Sequence, residues 1–202
     1  MSYQQHHQQQ QQTLLQRAAA ELEDLRHVPK HDGLQFPRNC RRLLYEIPGN
    51  THCIDCGNPN PEWASVTYGI LLCVNCSGRH RSYGVNTSRV RSITMDAWSH
   101  NQVLALLEGG NHQMKRFFQR HQMHGETVHA LDLQYRTKAA HFYRTHLDHH
   151  VTKVAEAGLY HGRETVRKGS CKPTTSQPTT STTPINNGSS TTKAHDSSIV
   201  VQ

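Results

Sequence analysis

The chain has 202 residues, 34% of them hydrophobic, and a formal charge of +7 from 22 Lys and Arg against 15 Asp and Glu. That length allows one domain with a modest core plus tails, and the apolar fraction lies below the ~45–50% of an ordinary globular chain because both ends are polar. No stretch of ~18 apolar residues exists to span a membrane, no apolar segment near Met1 reads as an export signal, and Met1-Ser2 lacks the glycine that myristoylation requires.

Residues 1–36 are Gln-rich at their start and are expected to be disordered, with a short helix possible over 13–27. Leu14, Leu15, Leu22 and Leu25 make no clean stripe there. The folded unit is expected over 37–158. Cys40, Leu43, Leu44 and Ile47 lie at i, i+3, i+4, i+7 and predict a helix over Arg38–Ile47, closed by Pro48-Gly49. Cys40 then reads as a small buried residue. Ala64–Thr67 and Ile70–Cys73 read as a tight hairpin about Tyr68-Gly69, and Val90–Met95 as a third strand.

Ser99 with Gln102 forms a capping box for a helix through Val103, Leu106 and Leu107, ended by Gly109-Gly110. Asn111 is expected to cap the next helix, whose inner face is Met114, Phe117 and Phe118. A last helix runs from about Thr137 to about His150, with Ala140, Tyr143 and Leu147 aligned. Residues 159–202 are rich in Ser, Thr, Pro and Asn and are expected to be a disordered tail. The fold class expected is α+β: a small module with a short antiparallel sheet, a four-cysteine finger and surrounding helices.

The positive charge belongs to the middle, since residues 37–171 hold 17 basic and 10 acidic side chains. Such a field favours a polyanionic or acidic partner, whether nucleic acid, membrane surface or protein.

Six cysteines in a chain without an export signal are expected in a reducing compartment. Cys53 and Cys56 are two residues apart, Cys73 and Cys76 repeat that spacing, and sixteen residues lie between the pairs. Two such knuckles, brought together by the hairpin, can build a tetrahedral sulfur cage with bonds of ~2.3 Å. Soft thiolates select zinc over magnesium or calcium, and four protein ligands leave no open position, so one structural Zn²⁺ is expected over 53–76. An iron–sulfur cluster and a redox pair are the alternatives, and the matched pairs argue for the cage. The 17 histidines show no matching ligand spacing, and His52 is superfluous beside four thiolates.

Arg81 stands four residues past Cys76, in Ser77-Gly78-Arg79-His80-Arg81. Spacing alone makes it a solvated or phosphate-binding charge. The stretch from Cys53 to Trp98, CIDCGNPNPEWASVTYGILLCVNCSGRHRSYGVNTSRVRSITMDAW, closely resembles the Arf GTPase-activating family. That family's pattern is C-x2-C-x16-C-x2-C-x4-R, and Arg81 falls on its last position. Leu43-Leu44, Pro48-Gly49-Asn50, Gly109-Gly110-Asn111 and Tyr135–Ala140 with Tyr143-Arg144 resemble further family segments in the same order. The similarity covers roughly 38–155. Arg79, Tyr83 and Val85–Ser88 depart from the common pattern without touching a ligand position.

The resemblance implies a domain that completes the active site of a GTP-bound Arf-family GTPase in trans, with Arg81 as the arginine finger. It implies a GTPase activator rather than a free-standing enzyme, a monomer, peripheral Golgi or vesicle membranes in the cytoplasm, contact with anionic lipid, and no nucleic acid. Trp63, Val74, Arg89, Met95 and Asp96 match family positions linked to activity or to the GTPase-facing surface. Core packing is the alternative for Trp63, Val74 and Met95. For Asp96 it is a strand-end cap or a pair with Arg89 or Arg91. Two other functions stay open: a GATA-like finger on nucleic acid, and an Arf-binding scaffold without activity. The first has longer spacing between its pairs and no such run of helices after them, and the second has no need of Arg81.

Overall fold

Helix and strand positions follow from where apolar residues and caps fall in the chain, and the computed structural model describes residues 3–28, 34–121 and 132–163. The elements in order are α1 (Tyr3–Arg26), α2 (Arg38–Glu46), β1 (Trp63–Ser65), β2 (Ile70–Leu72), α3 (Val74–Ser82), β3 (Val90–Ser92), α4 (His100–Glu108), α5 (Asn111–Arg120) and α6 (Lys138–Glu156). Among the described residues the three strands form one antiparallel sheet in the order β2-β1-β3. The α+β module with a short sheet is therefore the observed fold.

α4 is the hub of the helical side. Val103 through Glu108 are all buried, so the helix is covered on every face, as a central helix must be. α1, α2 and α6 pack against it. Its start is the expected capping box, in which Gln102 Oε1 accepts from Ser99 N at 3.1 Å. α6 buries Ala140, Tyr143, Leu147, Val151 and Val154, so its apolar stripe continues past His150, where a stop was expected.

The N-terminal expectation is corrected. α1 occupies much of the segment expected to be disordered, and Leu14, Ala18, Leu22 and Leu25 are buried at i, i+4, i+8, i+11. The leucines alone show no stripe because Ala18 supplies the missing position. Cys40 is buried as expected, and its Sγ donates to Ala18 O at 3.3 Å. Burial, joined by the nearby Glu21 charge, pushes the Cys40 thiol far above its ordinary value. Glu21 also caps α2, whose own N-cap residue, Pro37, offers no side chain for the task. One carboxylate oxygen accepts from Asn39 N at 2.7 Å and Cys40 N at 3.1 Å, the other from Asn39 Nδ2 at 2.6 Å.

The fold also begins before Pro37 and ends after Gly158. Leu34 and Trp98 exchange backbone bonds, and Phe36 packs edge-on to the Trp98 ring at 5.0 Å. Arg26 Nη2 donates to Gly158 O at 2.6 Å, and Tyr160 is buried. The Ser/Thr-rich tail over 164–202 lies outside the described residues.

The hairpin turn carries a strict glycine. Gly69 has φ +63°, and a Cβ there would sit 2.3 Å from Ala105 O, so the turn is pressed onto the end of α4. β3 ends at Ser92, short of the expected Met95, because Asp96 Oδ2 takes the Ser92 N–H at 2.7 Å and Ser92 Oγ takes the Met95 N–H at 3.2 Å. A turn closed by side chains replaces the rest of the strand.

Asn111 is the other correction. It does not cap α5, whose N-cap is Gly110. Its buried amide instead satisfies the β2 edge: Oδ1 accepts from Leu71 N at 2.7 Å, and Nδ2 donates to Leu71 O at 3.2 Å and His52 O at 2.7 Å. Asn50 Oδ1 accepts from Asn111 N at 2.8 Å, and Asn50 Nδ2 donates to Leu44 O at 2.9 Å. Two asparagines thus tie the first knuckle to β2, α2 and α5.

Candidate functional site

The two CxxC segments reach one point from different directions. In the first, Gly57 (φ +75°) lets the chain double back, so that Cys53 N donates to Asn58 O at 2.7 Å and Gly57 N to Cys53 O at 3.0 Å. In the second, Cys73 is the N-cap of α3 and its Sγ accepts from Cys76 N at 3.5 Å. The sulfurs of Cys53, Cys56, Cys73 and Cys76 all lie within 4.8 Å of one another. Cys56 and Cys73 approach to 3.5 Å, while a tetrahedron of ~2.3 Å metal–sulfur bonds has edges of about 3.8 Å. None of these four is in a disulfide. The donor set and its spacing fit a metal ion.

The cage sulfurs do not share one environment: burial pushes the Cys53 thiol up to about 11 and raises Cys76 as well. Burial raises the Cys73 thiol, but the Cys76 N–H at the helix N-terminus together with the Cys56, Cys76 and Cys53 sulfurs outweighs it and holds the group below its ordinary value. Arg79 Nη2 donates to Cys76 Sγ at 3.0 Å, which places a guanidinium against the negative cage.

A polar chain runs from the cage to α3. Asp55, between the first two ligands, is almost fully buried; its Oδ2 lies 3.2 Å from His80 Nε2, and Tyr135 donates to its Oδ1 at 2.7 Å. Burial alone would raise the Asp55 carboxyl, but His80 with Tyr135 and Arg79 holds it below its usual range. His80 Nδ1 lies 2.8 Å from Ser88 Oγ, which meets Ser65 Oγ at 2.7 Å. His80, fully buried, also packs edge-on to the Tyr135 ring at 4.5 Å. The residue preceding Arg81 is therefore clamped between the first knuckle, β1 and the loop before β3.

Arg81 itself projects outward from this clamp. Its guanidinium carbon stands 4.4 Å from the centroid of the Trp63 ring, and Nη1 donates to Ser77 Oγ at 3.3 Å. Val74, two turns back on the same α3 face at i−7, is 63% exposed, and Met95 is 71% exposed on the turn after β3. Trp63 pairs with Ser92 across the sheet, and Ser92 Oγ holds the Met95 N–H, so Trp63 and the Met95 turn share one end of the sheet. The core-packing alternative does not hold for Val74 or Met95, and Trp63 is half-buried.

Two expected site residues sit differently. Asp96 is the strand-end cap already described. Arg89 lies on the opposite face from Trp63: Trp63, Ser65, Val90 and Ser92 face α3, whereas alternation turns Arg89 and Arg91 to the other side. Sequence reasoning missed Asp55, His80, Ser88, Tyr135 and Arg79. The one signal available was Asp55 inside a CxxC turn, a position where a carboxylate needs a partner.

Residues 38–153 match the ArfGap family, described as "Putative GTPase activating protein for Arf". The chain belongs to that family. The match extends far past the finger into α6, which removes the support for a GATA-like module. ADP-ribosylation factor GTPase-activating protein 3 of Pongo abelii is 44% identical over 104 residues, covering 51% of this chain and 20% of that protein. Human Arf-GAP with coiled-coil, ANK repeat and PH domain-containing protein 3 is 45% identical over 76 residues, 38% of this chain and 9% of that protein. This ArfGap chain thus spans about a fifth or less of the length of those relatives. A Cryptosporidium parvum crystal structure, described as a "putative GTPase activating protein for ADP ribosylation factor", superposes with a TM-score of 0.53 at 26% identity, over 61% of this chain and 99% of that one.

Proposed function

We propose that this chain accelerates GTP hydrolysis by an Arf-family small GTPase, with Arg81 supplied in trans to the phosphates. The observation that carries the reading is the mounting of Arg81: an exposed guanidinium stacked on Trp63, next to the fully buried His80. Arginine suits the task because its planar fork meets phosphate oxygens in pairs and stays charged at every working pH. A finger of this kind is worth ~10³–10⁵ in rate, or about 4–7 kcal/mol of barrier. Trp63 aligns the guanidinium before docking, which limits the ordering cost. Val74 and Met95 offer apolar contact on the same side. Asp96 acts through the turn that presents Met95, and Arg89 belongs to the opposite face of the sheet.

Zn²⁺ is the ion proposed for the four thiolates, and bound there it supplies cross-linking of the two knuckles and no reaction chemistry. The protein is proposed to work as a monomer, at Arf-bearing membranes such as the Golgi. Single-turnover GTP hydrolysis by several Arf-family GTPases, with and without the chain, tests the reading. At least one should be stimulated by orders of magnitude. Tight binding of a GTP-loaded Arf protein with an unchanged rate would instead favour a silent scaffold.

A further inference from the structure

The sheet face turned away from Arg81 carries a second concentration of arginine. Arg89, just before β3, and Arg91 within it open into a groove of about 1010 Å³, bounded by the start of α4, by α6 and by the end of α1. Arg26 and Arg144 line it as well. Four guanidinium groups there face only two carboxylates, Asp148 and Glu156 of α6.

These arginines are unusually free of acidic partners. Arg26 pairs with Glu23 at 3.2 Å, whereas Arg89, Arg91 and Arg144 make no ion pair among the described residues. Arg91 Nη1 donates to Ala97 O at 2.7 Å, and its buried Nε has no hydrogen-bond partner. Arg144 Nη1 donates to Asn86 O at 2.7 Å. Among the described residues Arg89 makes only backbone bonds, its N–H donating to Thr67 Oγ1 at 2.9 Å and its carbonyl accepting from Val66 N at 2.9 Å. Ser99 stands at the rim, so the positive end of the α4 dipole adds to the field.

The geometry points to a binding site for a small, multiply phosphorylated anion, held by Arg89, Arg91 and Arg144. Guanidinium groups on a concave surface match phosphate oxygens in pairs, and a buried Nε without a partner gains most from an acceptor. The groove is as large as the upper end of ordinary ligand sites, enough for a polyol carrying several phosphates. Nucleobases are poorly served, because among the described lining residues Trp98 is fully buried and presents no stacking face, which leaves the half-buried His100 imidazole against four guanidinium groups. The same chemistry is available from a phosphoinositide headgroup in a membrane and from a free polyphosphate. The site stands whether or not Arg81 acts as proposed.

The test uses the full metal-loaded chain. Calorimetry with soluble inositol trisphosphate should show saturable binding that weakens with salt. Flotation with phosphatidylcholine vesicles, with and without phosphatidylinositol bisphosphate, assigns the source. Retention only on phosphorylated vesicles names the lipid, and equal binding of the free headgroup names the soluble anion. Arg89→Ala, an exposed change that leaves the fold intact, should weaken binding about tenfold, and Arg89→Ala with Arg144→Ala further still. Arg81→Ala should not alter it. The proposal fails if neither probe binds, if Arg89→Ala binds like the parent, or if a polyglutamate peptide competes as well as the trisphosphate.

Discussion

The knuckle half and the helical half of this molecule are held by different physics. Around the two knuckles the contacts that join distant residues are sulfur with sulfur, Asp55 with His80 and Tyr135, and Arg79 with Cys76. Around α4 they are Leu, Val and Phe side chains. Ile54, Ala64, Tyr68, Ile70, Leu71 and Leu72 join that same core, but the two knuckles themselves add little apolar surface to it, so their order depends on the metal and on a few polar bonds. The second half resembles an ordinary core. The difference separates the part that aims Arg81 from the part that supplies general stability, and it predicts which perturbations touch which.

Metal removal should have the largest effect. Structural zinc sites of this kind contribute ~10–16 kcal/mol in apparent binding free energy, and that is folding free energy. With chelator or in Cys76→Ser, hydrogen exchange should lose protection first at Ile54, Ser77 and His80, while the amides of Leu104–Leu107 hold longest. Uniform loss across both halves would break the comparison. Next, Leu106→Ala should cost about 2–5 kcal/mol by chemical denaturation, since the side chain is fully buried, yet the folded fraction should keep its activity.

Trp63→Ala belongs to the knuckle half and should act in the opposite sense. Loss of the ring under Arg81 removes about 1 kcal/mol of positioning, seen as hydrolysis about fivefold slower with little change in metal content. The smallest effect is expected from Glu21→Gln. The amide loses the charge that caps α2 but keeps an acceptor, so thermal unfolding should drop by about 0.5–1 kcal/mol with activity unchanged.

The sequence showed local features well and distant ones badly. The paired CxxC spacing, the Ser99 and Gln102 box and the buried face of α2 each lie within a short window, where one or two rules of geometry decide. α1 read only as a possible short helix over 13–27 because Ala18 is a weak hydrophobic signal, although the helix packs tightly enough there to need a small residue. Asn111 read as a cap because its type and local context fit one, but its amide is spent on Leu71, 40 positions away. Nothing in the local sequence marks His80, because its partner Asp55 is 25 residues distant. Arg89 could have been placed: the alternation of β3 separates it from the side of Trp63, once the strand is assigned.

Arg81 is the residue on which the account turns, and Arg81→Lys tests it most directly. The cage and both cores are untouched, so stability should move by only ~0.5 kcal/mol. Single-turnover hydrolysis by a GTP-loaded Arf-family GTPase should nevertheless fall by about 10³ or more, because a lysine point charge cannot reproduce paired contacts at the phosphates. Affinity for the GTP-loaded partner should weaken far less, since the missing contact is made chiefly in the transition state. A folded Arg81→Lys protein that stimulates hydrolysis as well as the parent would contradict the account.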